Sequence, residues 1–151
     1  MCAPPTHLNP IITVGPFFKW GIDYMICNPH SAEGHGYIIV AMDYFTKWAE
    51  AMTTYSANGK TTTKFIFNHV ISKFGVPQAI VTDHGSHFQY YMMAELTFTL
   101  GLCHDGSTSY DPQANGQVEA MNKVLVTMLQ HTIGMHNSNW NLMLFLAMWA
   151  Y

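Results

Sequence analysis

The stretch FFKWGIDYMIC, residues 17–27, constrains the fold most. Phe18, Trp20, Ile22, Tyr24 and Ile26 fall on one side of its alternation, and Lys19, Gly21, Asp23 and Met25 on the other. That period of two is the signature of a strand, here interrupted by a single carboxylate, Asp23. The turn-forming segment NPHSAEGHG ends it. YIIVAMDYF and KWAEAMTTY, 37–45 and 47–55, then read as two more strands separated only by Thr46, the spacing of an antiparallel meander.

Downstream the period changes. GKTTTKFIFNHVISKFGVP, 59–77, has apolar residues at 66, 67, 70, 71 and 74 and closes on Gly75 and Pro77, the stop signals of a helix. A short buried strand, AIVT at 79–82, runs into Asp83. Ser86 suits the cap of a helix over 87–99 that Gly101 closes, and LCHDG, 102–106, reads as a fifth short strand. After a turn at 106–112 a longer helix is expected. Val118, Met121, Leu125, Met128 and Thr132 form its apolar stripe, while Glu119, Asn122 and Lys123 lie on another face. WNLMLFLAMWAY, 140–151, reads as a buried helix of about half the roughly 20 residues that a bilayer crossing needs, so no membrane partner is expected. This order predicts an α/β fold, a mixed five-stranded sheet with flanking helices.

At 151 residues and 49% hydrophobic content the chain suits one domain with one sizeable core. Four prolines in the first sixteen residues mark 1–15 as an extended linker remnant ahead of a domain over 16–151. The six basic residues are all lysines and the net charge is −3, so any nucleic-acid contact has to be local. Cys2, Cys27 and Cys103 form no C-x-x-C pair, which suits reduced thiols in an intracellular protein, nuclear or cytoplasmic.

Nine acidic residues are few enough to sort one by one. Asp23 interrupts an apolar strand, Asp83 ends a buried one, and Glu119 starts an apolar helix. A desolvated carboxylate needs a partner. In a chain so poor in cations, a hard divalent ion such as Mg²⁺ is a natural one, and it would bring phosphate oxygens with it. The same positions also suit solvated element ends, with a glutamate favoured by the helix dipole. Residue types alone leave both readings open.

WGID at 20–23, VAMDYFTKWAEA at 40–51, FGVPQAIVTDHGSHF at 74–88 and YDPQANGQVEAMNKVL at 110–125 together resemble the catalytic core of retroelement integrases, in likeness nearest to plant Ty3/gypsy-type retrotransposon polyproteins. Thirty-five residues separate Asp83 from Glu119, the spacing of that family's D,D-35-E motif. The resemblance implies a ribonuclease H-like fold and a C-terminally truncated integrase core over 16–151. It implies that Asp23, Asp83 and Glu119 are the catalytic carboxylates and hold Mg²⁺ or Mn²⁺. It further implies polynucleotidyl transfer, joining element ends to target DNA, with homo-oligomerisation left open. Asn115, Gly116 and Gln117 would form a loop at the DNA end, and Lys123 would meet a phosphate or pair with Glu119 one turn away.

Other residues are read as structural. Trp20, Tyr44, Phe45 and Trp48 are expected to pack in the sheet or core. Asp43 resembles a family-typical aspartate outside the triad, and Glu95 is expected in solvent. The family's upstream His₂Cys₂ zinc module and downstream DNA-binding domain are not recognised in this sequence, and its usual arginines are missing. A domain that is weak or inactive in isolation is therefore expected, with a degenerate, non-catalytic remnant or interaction domain as the alternative.

Overall fold

The computed structural model describes residues 15–82, 98, 103–106, 120, 123, 124, 127, 128, 131 and 139–150. Strands β1 (Lys19–Ile26), β2 (Tyr37–Asp43) and β3 (Ala49–Thr54) come first, as the alternation predicts. Then follow helix α1 (Gly59–Phe65), a π-helical segment (Ile66–Ile71), the single turn α2 (Ser72–Phe74) and strands β4 (Ala79–Thr82) and β5 (Cys103–Gly106). The last element is α3 (Trp140–Ala150). The five strands make one sheet in the order β3-β2-β1-β4-β5. β1, β2 and β3 form the antiparallel meander, and β4 and β5 extend it by parallel pairing on the other side of β1. The predicted mixed five-stranded sheet is the one observed.

Parallel pairing of β4 with β1 requires a crossover, and the helical run from Gly59 to Phe74 provides it. Asn58 caps its start by accepting the Thr61 amide at 2.9 Å. Gly75, at φ 88°, ends it in a conformation that an L side chain rarely adopts. The sequence predicts one uninterrupted helix here. The structure instead widens to π geometry over Ile66–Ile71, a local change that apolar spacing does not report.

The sheet is covered on both faces. Trp20, Ile22 and Tyr24 point to one side and pack with Ile39, Ile80, Phe65, Ile66 and Val70 beneath the crossover helix. Met25, Cys27, Val40, Met42 and Val81 point to the other and pack with Trp140, Leu144 and Ala147 of α3. Met128, helical and partly buried, also rests on this second cluster. Val118, Met121, Leu125 and Thr132 of the predicted stripe lie outside the described residues, as does the 87–99 helix apart from Phe98.

Two expectations need correction. Phe45 and Trp48 are not core residues: they are 55% and 54% exposed on the β2–β3 turn. Aromatics in a strand pattern signal packing only where the strand continues, and Phe45 and Trp48 lie on the turn between β2 and β3. The 140–151 segment is likewise not buried all round. Trp140, Leu144 and Ala147 face the sheet, whereas Leu142, Phe145, Leu146 and Trp149 are exposed.

Candidate active site

Asp23 sits in the middle of the central strand. The sheet places β2 on one edge of β1 and β4 on the other, and Asp23 pairs across the ladder with Val40. Its neighbours Ile22 and Tyr24 are buried beneath the crossover helix, so strand alternation turns Asp23 to the opposite face, the side of Met25 and Val40. There it is half-buried, and its Oδ1 accepts the backbone N–H of Tyr24 at 2.8 Å. The orientation of Tyr24 is fixed independently. Thr62 donates its hydroxyl to the Asn58 carbonyl at 2.8 Å, so the Tyr24 hydroxyl, 2.9 Å from Thr62 Oγ1, donates to it. Burial raises the Tyr24 phenol above its ordinary range, with the Thr62 bond opposing, and the hydroxyl stays a donor at neutral pH.

β4 runs parallel beside this strand, with Gly21 opposite Val81 and Ile22 opposite Thr82. Val81 shares the Asp23 face, and Thr82 is buried. Asp83 follows Thr82 directly in the chain. Asp83, Glu119, Asn115, Gly116 and Gln117 all lie outside the described residues. Lys123 is described: it is helical and exposed, and its carbonyl accepts the Thr127 hydroxyl at 2.9 Å. Among the described residues no group of three or more His, Cys, Asp or Glu is placed to hold a metal ion.

Asp43 has a different role. It is fully buried at the end of β2, where Oδ1 accepts the Phe17 amide at 3.0 Å and Oδ2 accepts the Thr46 amide at 2.9 Å and the Thr46 hydroxyl at 2.6 Å. All these donors are turn and strand-entry groups, so this carboxylate shapes the β2–β3 turn. Sequence reasoning missed the parallel pairing of β1 with β4 that sets Ile22 beside Thr82. The strand–helix–strand order of β3, α1 and β4 carried the signal, because a helical crossover normally returns a strand parallel to the sheet.

A family model described as the integrase core domain matches residues 14–112. The Pol polyprotein of Radiation murine leukemia virus (strain Kaplan) is 32% identical over 135 residues, which is 89% of this chain and 23% of that protein. The Pol polyprotein of Feline endogenous virus ECE1 is 33% identical over 134 residues, 88% of this chain and 13% of that protein. The chain thus spans less than a quarter of either relative. Among solved structures, a cryoEM structure of the simian T-cell lymphotropic virus intasome in complex with PP2A regulatory subunit B56 gamma contains a similar chain. Its TM-score is 0.72 at 22% identity, covering 89% of this chain and 48% of that one, a likeness of fold.

Proposed function

Because this chain belongs to the integrase core family, we propose that it is the catalytic core, over 16–151, of a retroelement integrase, and that Asp23, Asp83 and Glu119 are its reacting carboxylates. The observation that carries the reading is the parallel register of β1 and β4. Thr82 lies opposite Ile22, and under this reading position 83 would continue that register to stand beside Asp23. Alternation would turn both carboxylates to the face that Met25 and Val81 share. Two aspartates held side by side would repel each other unless a cation joined them. Carboxylate oxygens are the donor set that Mg²⁺ and Mn²⁺ prefer.

A divalent pair held there would supply activation of the attacking oxygen and stabilisation of the leaving oxygen at a DNA phosphodiester. The protein's own part is positional. Tyr24, tied by its hydroxyl to Thr62 and by its amide to Asp23, keeps the first carboxylate turned to the site face. The 115–117 loop and Lys123 are assigned to the DNA end, Lys123 being exposed on its helix as that role needs. The substrates under this reading are element ends and target DNA. The motifs at 20–23, 40–51, 74–88 and 110–125 together are the ground for placing the chain beside plant Ty3/gypsy-type polyproteins.

The competing reading, a non-catalytic remnant or interaction domain that retains the fold, draws on the net charge of −3 and the absence of arginine. A branched DNA substrate separates the two. Strand transfer or its reversal that requires Mg²⁺ or Mn²⁺ and vanishes in Asp83→Asn supports the transferase. Activity that persists in that variant or in excess chelator overturns the mechanism, and wild type without activity or metal response favours the remnant.

A further inference from the structure

Thr62 and Tyr24 carry a pair of hydroxyls into an otherwise apolar layer. Thr62 is fully buried on the inner side of α1, and Tyr24 is buried in β1, in the cluster of Ile22, Ile39, Phe65 and Ile66. Their oxygens are 2.9 Å apart. Packing does not require them. A phenylalanine and a valine would fill the same space, and replacing both partners of a buried hydrogen bond by apolar groups of the same shape is close to neutral. What the pair adds is direction. Asn58 opens α1, its side chain accepting the Thr61 amide at 2.9 Å and its carbonyl accepting the Thr62 hydroxyl at 2.8 Å. The Thr62 oxygen is thereby oriented by the helix start, and the Tyr24 hydroxyl donates to it. The Tyr24 ring also meets Tyr37 edge-on, with centroids 6.3 Å apart. Its far end is thus held by the helix, while at its near end the Tyr24 amide donates to Asp23 Oδ1 at 2.8 Å. The ladder fixes the backbone of Asp23 opposite Val40, but it does not fix the rotation of the carboxylate.

We propose that Thr62 is a positioning residue for Asp23, acting through the hydroxyl and amide of Tyr24 across the thickness of the sheet. The inference rests on the reading of Asp23 as a metal-holding carboxylate, and it extends that site to the start of the crossover helix on the opposite face. Without the Thr62 hydroxyl the Tyr24 ring can tilt, the peptide between residues 23 and 24 turns with it, and Asp23 Oδ1 loses its aligned donor. The metal then has to order the carboxylate itself, which lowers affinity although no ligand has been removed.

The test uses the full chain and two readouts. In chelator, the scalar coupling across the hydrogen bond between the Tyr24 amide nitrogen and the Asp23 carboxylate carbon reports the tie itself. With Mn²⁺ added, the electron paramagnetic signal of the unbound ion gives Kd. Thr62→Val and Tyr24→Phe are each expected to lower the coupling and to weaken Mn²⁺ binding about 10-fold, the lower end of the roughly 10- to 100-fold range for groups behind metal ligands. The double variant should bind no more weakly than either single, because both cut one link. It should nevertheless unfold closer to the wild-type urea midpoint than Thr62→Val, since it leaves no tyrosine hydroxyl facing a valine. Thr62→Ser keeps the hydroxyl and should retain both the coupling and the wild-type Kd. A merely structural role would instead make Mn²⁺ affinity follow the urea midpoint. Affinity that recovers in the double variant, an unchanged coupling in Thr62→Val, or a loss in Thr62→Ser as large as in Thr62→Val overturns the proposal. A coupling present in wild type and lowered in Thr62→Val, with no Mn²⁺ bound by wild type, would support the tie and overturn the metal reading, so the two fail separately.

Discussion

Replacing Asp43 with alanine is expected to destabilise the domain more than any other single acidic-to-alanine change among its described residues. The carboxylate is fully buried and accepts three hydrogen bonds, from the Phe17 amide, the Thr46 amide and the Thr46 hydroxyl. Bonds to a charged acceptor are worth about 1.5–3 kcal/mol each, but three that share one carboxylate in a turn that water can partly reach do not add. A loss of about 3–5 kcal/mol is the working magnitude, the scale of removing one partner from a buried charged network. Asp43→Asn keeps an acceptor oxygen but turns an amide N–H₂ toward a donor, so it should cost roughly half as much. Urea unfolding measures both. With m of roughly 2 kcal/mol/M, the alanine variant should lower the midpoint by about 1.5–2.5 M at unchanged m. A shift under about 0.3 M, or identical midpoints for the two variants, would refute the assignment of Asp43 as the organiser of the β2–β3 turn.

Trp140→Ala should cost about 3–5 kcal/mol in the same assay, since it empties a fully buried site and removes the 2.9 Å bond to the Pro29 carbonyl; Trp140→Phe should recover most of that loss. Phe45→Ser and Trp48→Ser should each stay within about 0.5 kcal/mol of wild type, as exposed turn residues do. His69 has its pKa lowered by burial first and by Lys73 next, with Glu50 opposing, so the folded state favours neutral imidazole. Its contribution to stability is present above the ordinary value of 6.5 and is lost as pH falls below it; His69→Gln should flatten the stability-versus-pH curve on that acid side. Burial pushes the Cys27 thiol up to about 11, so a thiol reagent at pH 8 should label it only as fast as the protein unfolds.

The meander was legible because strands of period two betray themselves residue by residue: Trp20, Ile22 and Tyr24 are buried together where the alternation sets them. The fourth and fifth strands were read instead from short segments, the apolar AIVT and LCHDG, and the crossover helix from its Gly75 and Pro77 stop. Pairing was harder to read. Nothing in AIVT says that Ile80 lies beside Trp20 rather than at a far edge; that is decided by the helix carrying the chain back across the sheet. Phe45 and Trp48 misled because β-propensity reports a side chain's fit to a pleated surface and not whether that surface is there. The π turn at Ile66–Ile71 left no trace in hydrophobic spacing, since the buried Ile66 and Val70 suit either helix. At the site, Asp23 was legible as a charge in an apolar strand. Its role was not, because one carboxylate acquires chemistry only from its neighbours, and those came from the family's motif spacing.

The central claim is that Asp23 shares a divalent ion with Asp83 and Glu119, and a paramagnetic titration tests it most directly. Mn²⁺ added to the isotope-labelled chain at low micromolar levels broadens nearby amide resonances steeply with distance, whether or not the domain is active. The account predicts that the amides of Asp23, Tyr24 and Thr82 broaden first. It predicts that excess Mg²⁺ competes, and that Asp83→Asn and Glu119→Gln each abolish the effect while leaving the spectrum folded. Broadening centred elsewhere, or undiminished in Asp83→Asn, would contradict it.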